Sequence, residues 1–223
     1  MSGPEAGSRR EAALEEGACA LGVTLAPMAR QRLLDYVELI GRWNRVYNLT
    51  AVRDPNEMLV QHVLDSLAVV GPLLRQVGEG STVLDVGSGA GLPGVVLAIA
   101  SPRLRISCVD AVDKKASFVR QVAAELELSN LEALHARVES LDPRRWDLIT
   151  SRAFASLSRF CELTQSLLTD GGRWMAMKGQ RPVQEIDALP PEIDVFHVEP
   201  LQVPKLGAER CLVWMRRRHA AGA

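Results

Sequence analysis

The chain has 223 residues, of which 47% are hydrophobic and 24% are charged, and its formal net charge is −1. These proportions are typical of a globular protein with a buried core, and they exclude an intrinsically disordered chain. The near-neutral charge is unusual for a protein that binds bare nucleic acid by charge alone, although it does not exclude one. An RNA substrate would have to bind at a local patch of positive charge, or be held in its folded shape by other molecules.

The sequence contains no pattern typical of export, membrane insertion or metal binding. The N-terminus lacks the apolar segment of a signal peptide, and no later stretch approaches about 18 uncharged apolar residues. The four cysteines form no CxxC pair and stand at no zinc-like spacing from histidine. We therefore expect a cytoplasmic protein without a metal site or a membrane span, with a monomer as the default. The cysteines are Cys19, Cys108, Cys161 and Cys211.

The first part of the chain is predicted to be helical. Residues 1–24 are expected to form an N-terminal tail, frayed over about the first ten residues, and residues 25–80 a helical cap. Apolar residues in 27–47 recur at helical spacing and predict one amphipathic helix. A second helix should begin at the sequence DPNE, because Asp54 can cap it and Pro55 suits its first turn. We expect that helix to end at the Gly-Pro pair of residues 71–72.

From residue 81 onward, short apolar runs alternate with helical patterns at 114–128 and 156–169. This alternation predicts a parallel sheet with helices on both faces. The last two runs have no long helix between them and indicate an antiparallel pair at the sheet edge. The expected fold class is therefore α/β, with a mostly parallel seven-stranded sheet in a domain over 81–217 and a tail over 218–223. The seven runs cover 82–86, 104–109, 131–135, 146–150, 173–177, 193–198 and 210–215.

The strongest motif is a glycine-rich turn after the first strand, with the sequence VLDVGSGAGLPG. Glycines there let the backbone approach a ligand and adopt conformations that a Cβ would block. The dinucleotide fingerprint GxGxxG would require glycine at Leu92, whereas the glycines of this chain are Gly87, Gly89 and Gly91. The GxGxG form, preceded by Asp85, resembles motif I of S-adenosylmethionine methyltransferases and disfavours NAD.

Two further positions fit a nucleoside cofactor. Asp110 ends the second strand about 20 residues past the glycines, where a carboxylate can accept both ribose hydroxyls. In isolation, the same residue could simply cap a turn. Val138 and Glu139 follow the third strand, where this class of enzyme positions the adenine with backbone groups. Glu139 could equally be a solvated loop carboxylate.

Two motifs that the sequence lacks constrain the acceptor atom. Carbon-5 pyrimidine methyltransferases need an attacking thiolate, and none of the cysteines follows a proline in a strand-end loop. Exocyclic-amine enzymes usually show (Asn/Asp)-Pro-Pro-(Tyr/Phe) after the fourth strand, where this chain has SRAF. A ring nitrogen such as guanine N7 has an available lone pair and no proton, so it needs neither motif. A small-molecule acceptor is equally compatible with these absences.

Five segments in order resemble one known family. They are WNRVYNLT at 43–50, HVLDSL at 62–67, the glycine loop at 87–94, SRAFA at 151–155 and MKG at 177–179. Together they resemble the bacterial small-subunit ribosomal RNA guanine-N7 methyltransferases, also called the glucose-inhibited division protein B family. The likeness extends from about residue 25 to 217. It implies a Rossmann-like class I methyltransferase fold, S-adenosylmethionine as cofactor, and small-subunit (16S) ribosomal RNA or the ribosomal subunit as partner.

The resemblance also implies roles for individual residues. Arg152 and Lys178, at the ends of the fourth and fifth strands, are the expected catalytic residues. The expected cofactor-binding residues are Asp85, Gly87, Gly89, Gly91, Leu92, Asp110, Val138, Glu139 and Arg152. The expected substrate-binding residues are Asn48, His62, Asp65, Ser66 and Lys178. His62 shares a helix face with both Asp65 and Ser66, and the turn at Asn48 is either a helix stop or part of the pocket wall.

Alternatives to these assignments remain open. Arg152 could form a surface salt bridge, Lys178 could be solvated, and His62 could be a structural histidine. A methyltransferase of a small molecule or a protein side chain would share the same cofactor site. A non-catalytic RNA-binding assembly protein would share only the fold, although the intact glycines and Asp110 argue against it.

Overall fold

The computed structural model describes residues 4–142, 144–152, 154 and 156–218. The N-terminal part is helical, as predicted. Its elements are α1 (Pro4–Ala20), α2 (Pro27–Tyr47), α3 (Pro55–Met58), a π-helical turn (Leu59–Leu64), α4 (Asp65–Leu67) and α5 (Val70–Val77). Pro27 stands in the first turn of α2, and Asn48 ends that helix in the left-handed conformation, with φ of 49°. The Asp54 carboxylate caps α3 by accepting hydrogen bonds from the backbone N–H groups of Asn56 and Glu57.

The rest of the chain alternates strands and helices. The strands are β1 (Thr82–Val86), β2 (Arg105–Asp110), β3 (Leu131–His135), β4 (Trp146–Ser151), β5 (Leu168–Lys178), β6 (Ile193–Leu201) and β7 (Arg210–Arg217). The helices are α6 (Gly94–Ala100), α7 (Asp113–Glu125), α8 (Leu157–Thr164) and α9 (Val183–Asp187). Short 3-10 turns lie at Val138–Ser140 and Gln165–Leu167.

The seven strands form one sheet in the order β3-β2-β1-β4-β5-β7-β6. Strands β1 to β5 are parallel, and β7 runs antiparallel to both of its neighbours, β5 and β6. The predicted fold class and the antiparallel pair are therefore confirmed. Because β1, β2, β4 and β5 are parallel, their carboxyl ends meet at one edge, and ligands of open α/β sheets bind at that edge.

The two faces of the sheet are covered by separate hydrophobic clusters. Along β1, Val83 packs into the cluster that includes α1, α2, α6 and α7, whereas Leu84 packs into the cluster that includes α8. This is the alternation expected of a strand buried on both faces. Trp174 is fully buried, and its indole Nε1 donates a hydrogen bond to Thr164 Oγ1 over 2.8 Å. The N-terminal helices and the sheet share one core, and the predicted domain bounds stay predictions.

Two predictions about the N-terminal helices are wrong. Residues 4–10 are not a frayed tail but the start of α1, which buries Leu14 and Ala18, four residues apart, against the core. The helix from Pro55 does not end at residues 71–72. A turn at residues 68–69 interrupts it, and α5 then continues to Val77. Pro72 lies in the first turn of α5, where a backbone N–H has no partner within the helix. The N–H that proline lacks therefore costs no hydrogen bond.

The predicted bounds of the fifth strand are also too narrow. β5 begins at Leu168 rather than at 173, with the sequence TDGG inside it. The pairing with β4 jumps from Trp146↔Leu168 to Leu148↔Arg173, so β5 contains a bulge of extra residues there. Polar and glycine residues resemble a loop in the sequence, but the bulge accommodates them within the strand.

One helical run is apolar enough to cross a membrane by length and composition. Residues Pro55–Val77 have a mean hydropathy of 1.3 over an 18-residue window, but Glu57, Asp65 and Arg75 interrupt them, so they contain no stretch of 18 uncharged residues. In the structure, 72% of that window is buried inside the protein. The helix packs between α1, α2 and the sheet core, as a core helix of a soluble protein does.

Candidate active site

The glycine loop follows β1 at the carboxyl edge of the sheet. Gly87 and Gly89 have φ of 66° and 60°, and a Cβ added to either would have no atom within 4 Å. The backbone therefore faces open space, in a conformation that side chains rarely adopt. Gly91 also has a positive φ, of 89°, but its Cβ would collide with Val95. Gly87 and Gly89 thus form an open cradle for a ligand, and Gly91 allows the following helix to pack closely.

Asp85 lies beneath this loop rather than in the cradle. Its side chain is fully buried, and Oδ2 accepts a hydrogen bond from the backbone N–H of Gly94 over 2.9 Å. Burial raises the pKa of Asp85 to about 7, against the lowering effects of the Gly94 hydrogen bond and of Arg152. A Cβ on Gly94 would collide with Cys108 Sγ and would lie 2.9 Å from Asp85 Oδ2. Asp85 therefore shapes the start of α6, and its Oδ1 has no partner among the residues described.

Asp110 joins the end of β2 to the glycine loop. Its Oδ2 accepts a hydrogen bond from Gly89 N over 3.0 Å, and Oδ1 accepts one from Val112 N over 2.9 Å. Lys115 Nζ is 3.7 Å from Oδ2. A carboxylate has acceptor capacity beyond these bonds, so Asp110 is both a brace for the loop and a candidate partner for ribose hydroxyls.

The remaining predicted cofactor residues are Leu92, in the glycine loop, and Val138 and Glu139, which follow β3 three residues after His135, the partner of Asp110 in the sheet. Val138 and Glu139 begin a 3-10 turn after β3, and backbone N–H groups at such a start have no intrahelical partner. Leu92 is buried and packs in the core. Tyr36 on α2 was not predicted as part of the site, but its hydroxyl donates a 2.6 Å hydrogen bond to the carbonyl of Ala90. The helical cap thereby contacts the glycine loop directly.

A cavity of about 360 Å³ lies at the same edge of the sheet and brings together four of the predicted residues, His62, Asp65, Arg152 and Lys178. Gln61, Met177, Gly179 and Arg210 complete its lining. Arg152 lines this cavity and directly follows Ser151, whose hydroxyl donates a 2.9 Å hydrogen bond to the carbonyl of Val86, the residue before Gly87. Arg152 is therefore close to the glycine loop as well as to the cavity.

Asp65 is the central charge of the cavity. Its side chain is 2% exposed, Oδ1 accepts a 2.8 Å hydrogen bond from Arg210 Nε, and Oδ2 is 3.5 Å from Arg152 Nη1. Arg152 Nη1 also donates to the carbonyl of Gln61 over 3.2 Å. Asp65 thus orients two guanidinium groups from β4 and β7. Arg210 was missed in the sequence, because no motif connects it to Asp65, 145 residues away.

His62 lies on the π-helical turn, a geometry that is frequent at functional sites. Its Nε2 is 2.9 Å from Thr50 Oγ1, and Nδ1 has no partner among the described residues. Burial, with help from Arg152, lowers the pKa of His62 to about 4. The imidazole is therefore neutral at physiological pH and adds no positive charge to the cavity.

Lys178 forms an ion pair with Glu185 of α9, with Nζ 2.9 and 2.8 Å from the two carboxylate oxygens. Glu185 Oε2 also accepts a hydrogen bond from the backbone N–H of Leu157, at the start of α8. Lys178 is thus not a freely solvated lysine. It lines the cavity and connects β5 to the helices beside it.

Two predicted substrate residues do not line the cavity. Asn48 is the helix stop of α2, and its Oδ1 accepts a hydrogen bond from Arg53 over 2.9 Å. Ser66 is fully buried, and its hydroxyl has no partner among the described residues. Asn44 was not predicted as part of the site. Its side chain donates a hydrogen bond to Val52 O and accepts one from Thr50 N, and so places Thr50 against His62. The substrate role of Asn48 and Ser66 stays a prediction without a contact to support it.

The cradle and the sheet order define the class of protein. Solved structures with this fold include an S-adenosylmethionine-dependent methyltransferase from Aquifex aeolicus (TM-score 0.54, 20% identity, 75% of this chain and 96% of that chain). They also include a ribosomal protein L11 methylase from Lactobacillus delbrueckii subsp. bulgaricus (TM-score 0.56, 15% identity, 71% of this chain and 79% of that chain). The open glycine cradle and the Asp110 carboxylate fit S-adenosylmethionine. The chain is a Rossmann-like class I methyltransferase.

Within that class, the chain belongs to the GidB family, described as rRNA small subunit methyltransferase G, which matches residues 29–214. The ribosomal RNA small subunit methyltransferase G of Methylibium petroleiphilum is 61% identical over 206 residues, 92% of this chain and 93% of that protein. The protein of the same name from Leptothrix cholodnii is 59% identical over 208 residues, 93% of this chain and 95% of that protein. The family predicted from the five sequence segments is confirmed.

Proposed function

We propose that this chain transfers the methyl group of S-adenosylmethionine to N7 of a guanine in small-subunit (16S) ribosomal RNA, as a cytoplasmic monomer. The main support is the position of Arg152, which lines the acceptor cavity and directly follows Ser151, whose hydroxyl donates a hydrogen bond to the carbonyl of Val86, the residue before the glycine loop. A methyl donor and an acceptor bound at these two places would adjoin one another, as in-line transfer requires.

The cofactor, when bound, supplies an already activated methyl group on its sulfonium. The residues that would bind it are Gly87 and Gly89 through their open backbone, Asp110 through its carboxylate, and Val138 and Glu139 through backbone N–H groups. Asp85 and Tyr36 support the loop from below and from the helical cap. None of these residues needs to move a proton.

The acceptor cavity supplies donors and balanced charge. Guanine presents two acceptors side by side, O6 and N7. Arg152 and Lys178 are donors in the cavity, and a hydrogen bond to O6 would orient the base while leaving the N7 lone pair free. Methylation at N7 makes the base cationic, and the buried Asp65 and the partly buried Glu185 offset the cations around it. The neutral His62 keeps further positive charge out of the cavity.

A labelled-methyl transfer assay tests this function. The acceptor is small ribosomal subunits from cells that lack the activity, and mass spectrometry identifies the modified nucleotide. We expect a single 7-methylguanosine. Label on another nucleotide, or label on small molecules or protein from cell extract instead of RNA, would overturn the proposed acceptor. No cofactor heat in calorimetry would indicate a non-catalytic assembly protein.

A further inference from the structure

A second cavity, of about 680 Å³, lies directly beside the acceptor cavity. It is lined by the end of β6, the start of β7, the loop between them and the segment that follows β5. Its lining includes Arg181, Pro200, Gln202, Ala208 and Glu209. The two cavities share two lining residues, Gly179 and Arg210. An occupant of the second cavity would therefore adjoin an occupant of the first.

Gly179 leaves the boundary between the two cavities open. A Cβ added there would meet no atom closer than Arg210 Nη1, at 4.0 Å. Gly179 directly follows Lys178, which lines the acceptor cavity. A chain-like ligand could thus extend from one cavity into the other past the backbone of residue 179.

The walls of the second cavity combine groups that suit a nucleotide. The backbone carbonyl of Arg181 accepts a hydrogen bond from Val183 N, whereas its side chain forms no hydrogen bond or ion pair with the described residues, so the guanidinium is available to a phosphate. Arg210 donates hydrogen bonds from Nε to Asp65 and from Nη1 to the carbonyl of Glu209. Arg210 also lines the cavity. Pro200 offers an apolar surface to a base, while Gln202 and Glu209 offer groups to a base edge.

The loop that closes the cavity has a defined shape. Lys205 and Gly207 have φ of 64° and 63°, which bend the chain between β6 and β7. Lys205 also forms an ion pair with Glu16 of α1, so the loop is joined to the helical cap. The cavity is therefore already formed by the fold, which lowers the cost of ordering on binding.

We propose that this second cavity binds the nucleotide that directly flanks the target guanine in the RNA strand. The inference rests on the proposed function and deepens it, because the enzyme would then recognise two successive unpaired nucleotides instead of one base. Sequence-specific RNA recognition commonly uses such splayed nucleotides. Arg181 and Arg210 would also place positive charge beside the RNA strand, in a protein whose net charge is near neutral.

The test compares three variants in methyl transfer to small ribosomal subunits that lack the modification. Ala208→Trp fills the second cavity from an exposed position, and Arg181→Gln removes its available cation. Ser129→Trp is the matched control, because Ser129 lines a cavity at the opposite edge of the sheet. Thermal unfolding and cofactor calorimetry on each variant show that the fold and the cofactor site are intact.

We expect Ala208→Trp to lower kcat/KM by about ten-fold, the value of one lost base contact. Arg181→Gln should reduce the slope of log(kcat/KM) against log salt concentration by about 0.7, as for one phosphate on a single strand. Ser129→Trp should behave as the wild type. Wild-type kinetics and salt slope in both test variants, with 7-methylguanosine still formed, would overturn the second-nucleotide site alone. Absence of 7-methylguanosine with the wild-type protein would instead overturn the proposed function.

If Ala208→Trp unfolds, the salt dependence of Arg181→Gln tests the inference by itself, since the Arg181 side chain is exposed and forms no hydrogen bond or ion pair with the described residues. An unchanged salt slope in that variant would then overturn the inference.

Discussion

At the residue scale, the site depends on carboxylates that contact other protein groups. Asp65 holds Arg152 and Arg210, Asp110 holds the glycine loop, and Asp85 holds the start of α6. Removing one partner of a buried ion pair leaves an uncompensated charge, which is costly. We therefore infer that Asp65 positions two arginines, and that the expected substrate contact is made through them.

Asp110→Ala should weaken cofactor binding by about ten-fold or more, because a hydrogen bond to a charged group contributes about 1.5–3 kcal/mol. Isothermal calorimetry with S-adenosylmethionine measures the change, and circular dichroism checks that the fold is retained. The exposed Asp113→Ala, on α7, is the control. Unchanged affinity in Asp110→Ala would remove Asp110 from the cofactor site.

Asp85 and His62 are expected to give opposite pH dependences of stability. The pKa of Asp85 is raised from 3.8 to about 7, so the folded state binds more protons in that window and loses stability as pH rises. The pKa of His62 is lowered from 6.5 to about 4, so the folded state binds fewer protons there and loses stability as pH falls. The two slopes oppose each other between about pH 4 and 6.5.

Asp85→Asn removes the contribution of Asp85 to the pH dependence of stability. The variant keeps a side-chain oxygen that can accept the hydrogen bond from Gly94 N–H. The free energy of unfolding of the variant, relative to the wild type, should therefore rise with pH from 4 to 7. The slope should reach at most about 1.4 kcal/mol per pH unit, the value for one proton. Denaturant unfolding at several pH values measures it, and a difference that is independent of pH would contradict the raised pKa.

At the element scale, the site is built where the segments after β1, β2, β4 and β5 meet the π-helical turn. The short connection from β1 to α6 is tightly packed, since a Cβ added to Gly94 would lie 2.4 Å from Cys108 Sγ and 2.9 Å from Asp85 Oδ2. Tyr36 joins α2 to the same connection. The position of the cradle therefore depends on how closely α6 packs on the sheet.

Gly94→Ala should lower the free energy of unfolding by about 1–3 kcal/mol, the usual cost of overpacking a core, and should weaken cofactor binding by displacing the loop. Gly171→Ala, in the bulge of β5, is the matched control because its added Cβ would have no atom within 4 Å. Chemical denaturation of the two variants gives the comparison. Equal stability of both would show that α6 shifts without cost.

At the scale of the whole molecule, a net charge of −1 offers little general attraction for RNA. Four of the chain's 26 basic residues, Arg152, Lys178, Arg181 and Arg210, line the two cavities. Recognition should therefore depend on the shape of a folded RNA or ribonucleoprotein that presents its strand to this edge of the sheet.

We accordingly expect assembled small subunits to be methylated with a kcat/KM at least about ten-fold higher than short linear RNA of the same sequence, a difference of about 1.4 kcal/mol. Both acceptors are compared at the same salt concentration, because the electrostatic part of binding depends on it. Equal rates would argue against recognition by shape.

The local patterns of the chain were sufficient for the α/β class, the order of the strands along the chain and the glycine loop, because these depend on neighbouring residues and on a few backbone conformations. Asp110 was predicted from its place at a strand end and Arg152 from the family resemblance, and the structure places them beside the glycine loop and in the cavity. Arg210, Tyr36 and Asn44 were not found, and Ser66 proved to be buried, because these outcomes depend on contacts between distant segments. Asp65 meets Arg152 and Arg210, 87 and 145 residues further along the chain, only because the sheet order places β4 and β7 beside the same helix. No local periodicity encodes such a contact, since the arginines approach the buried Asp65 only in the folded chain, where their pairing offsets the cost of burying its charge.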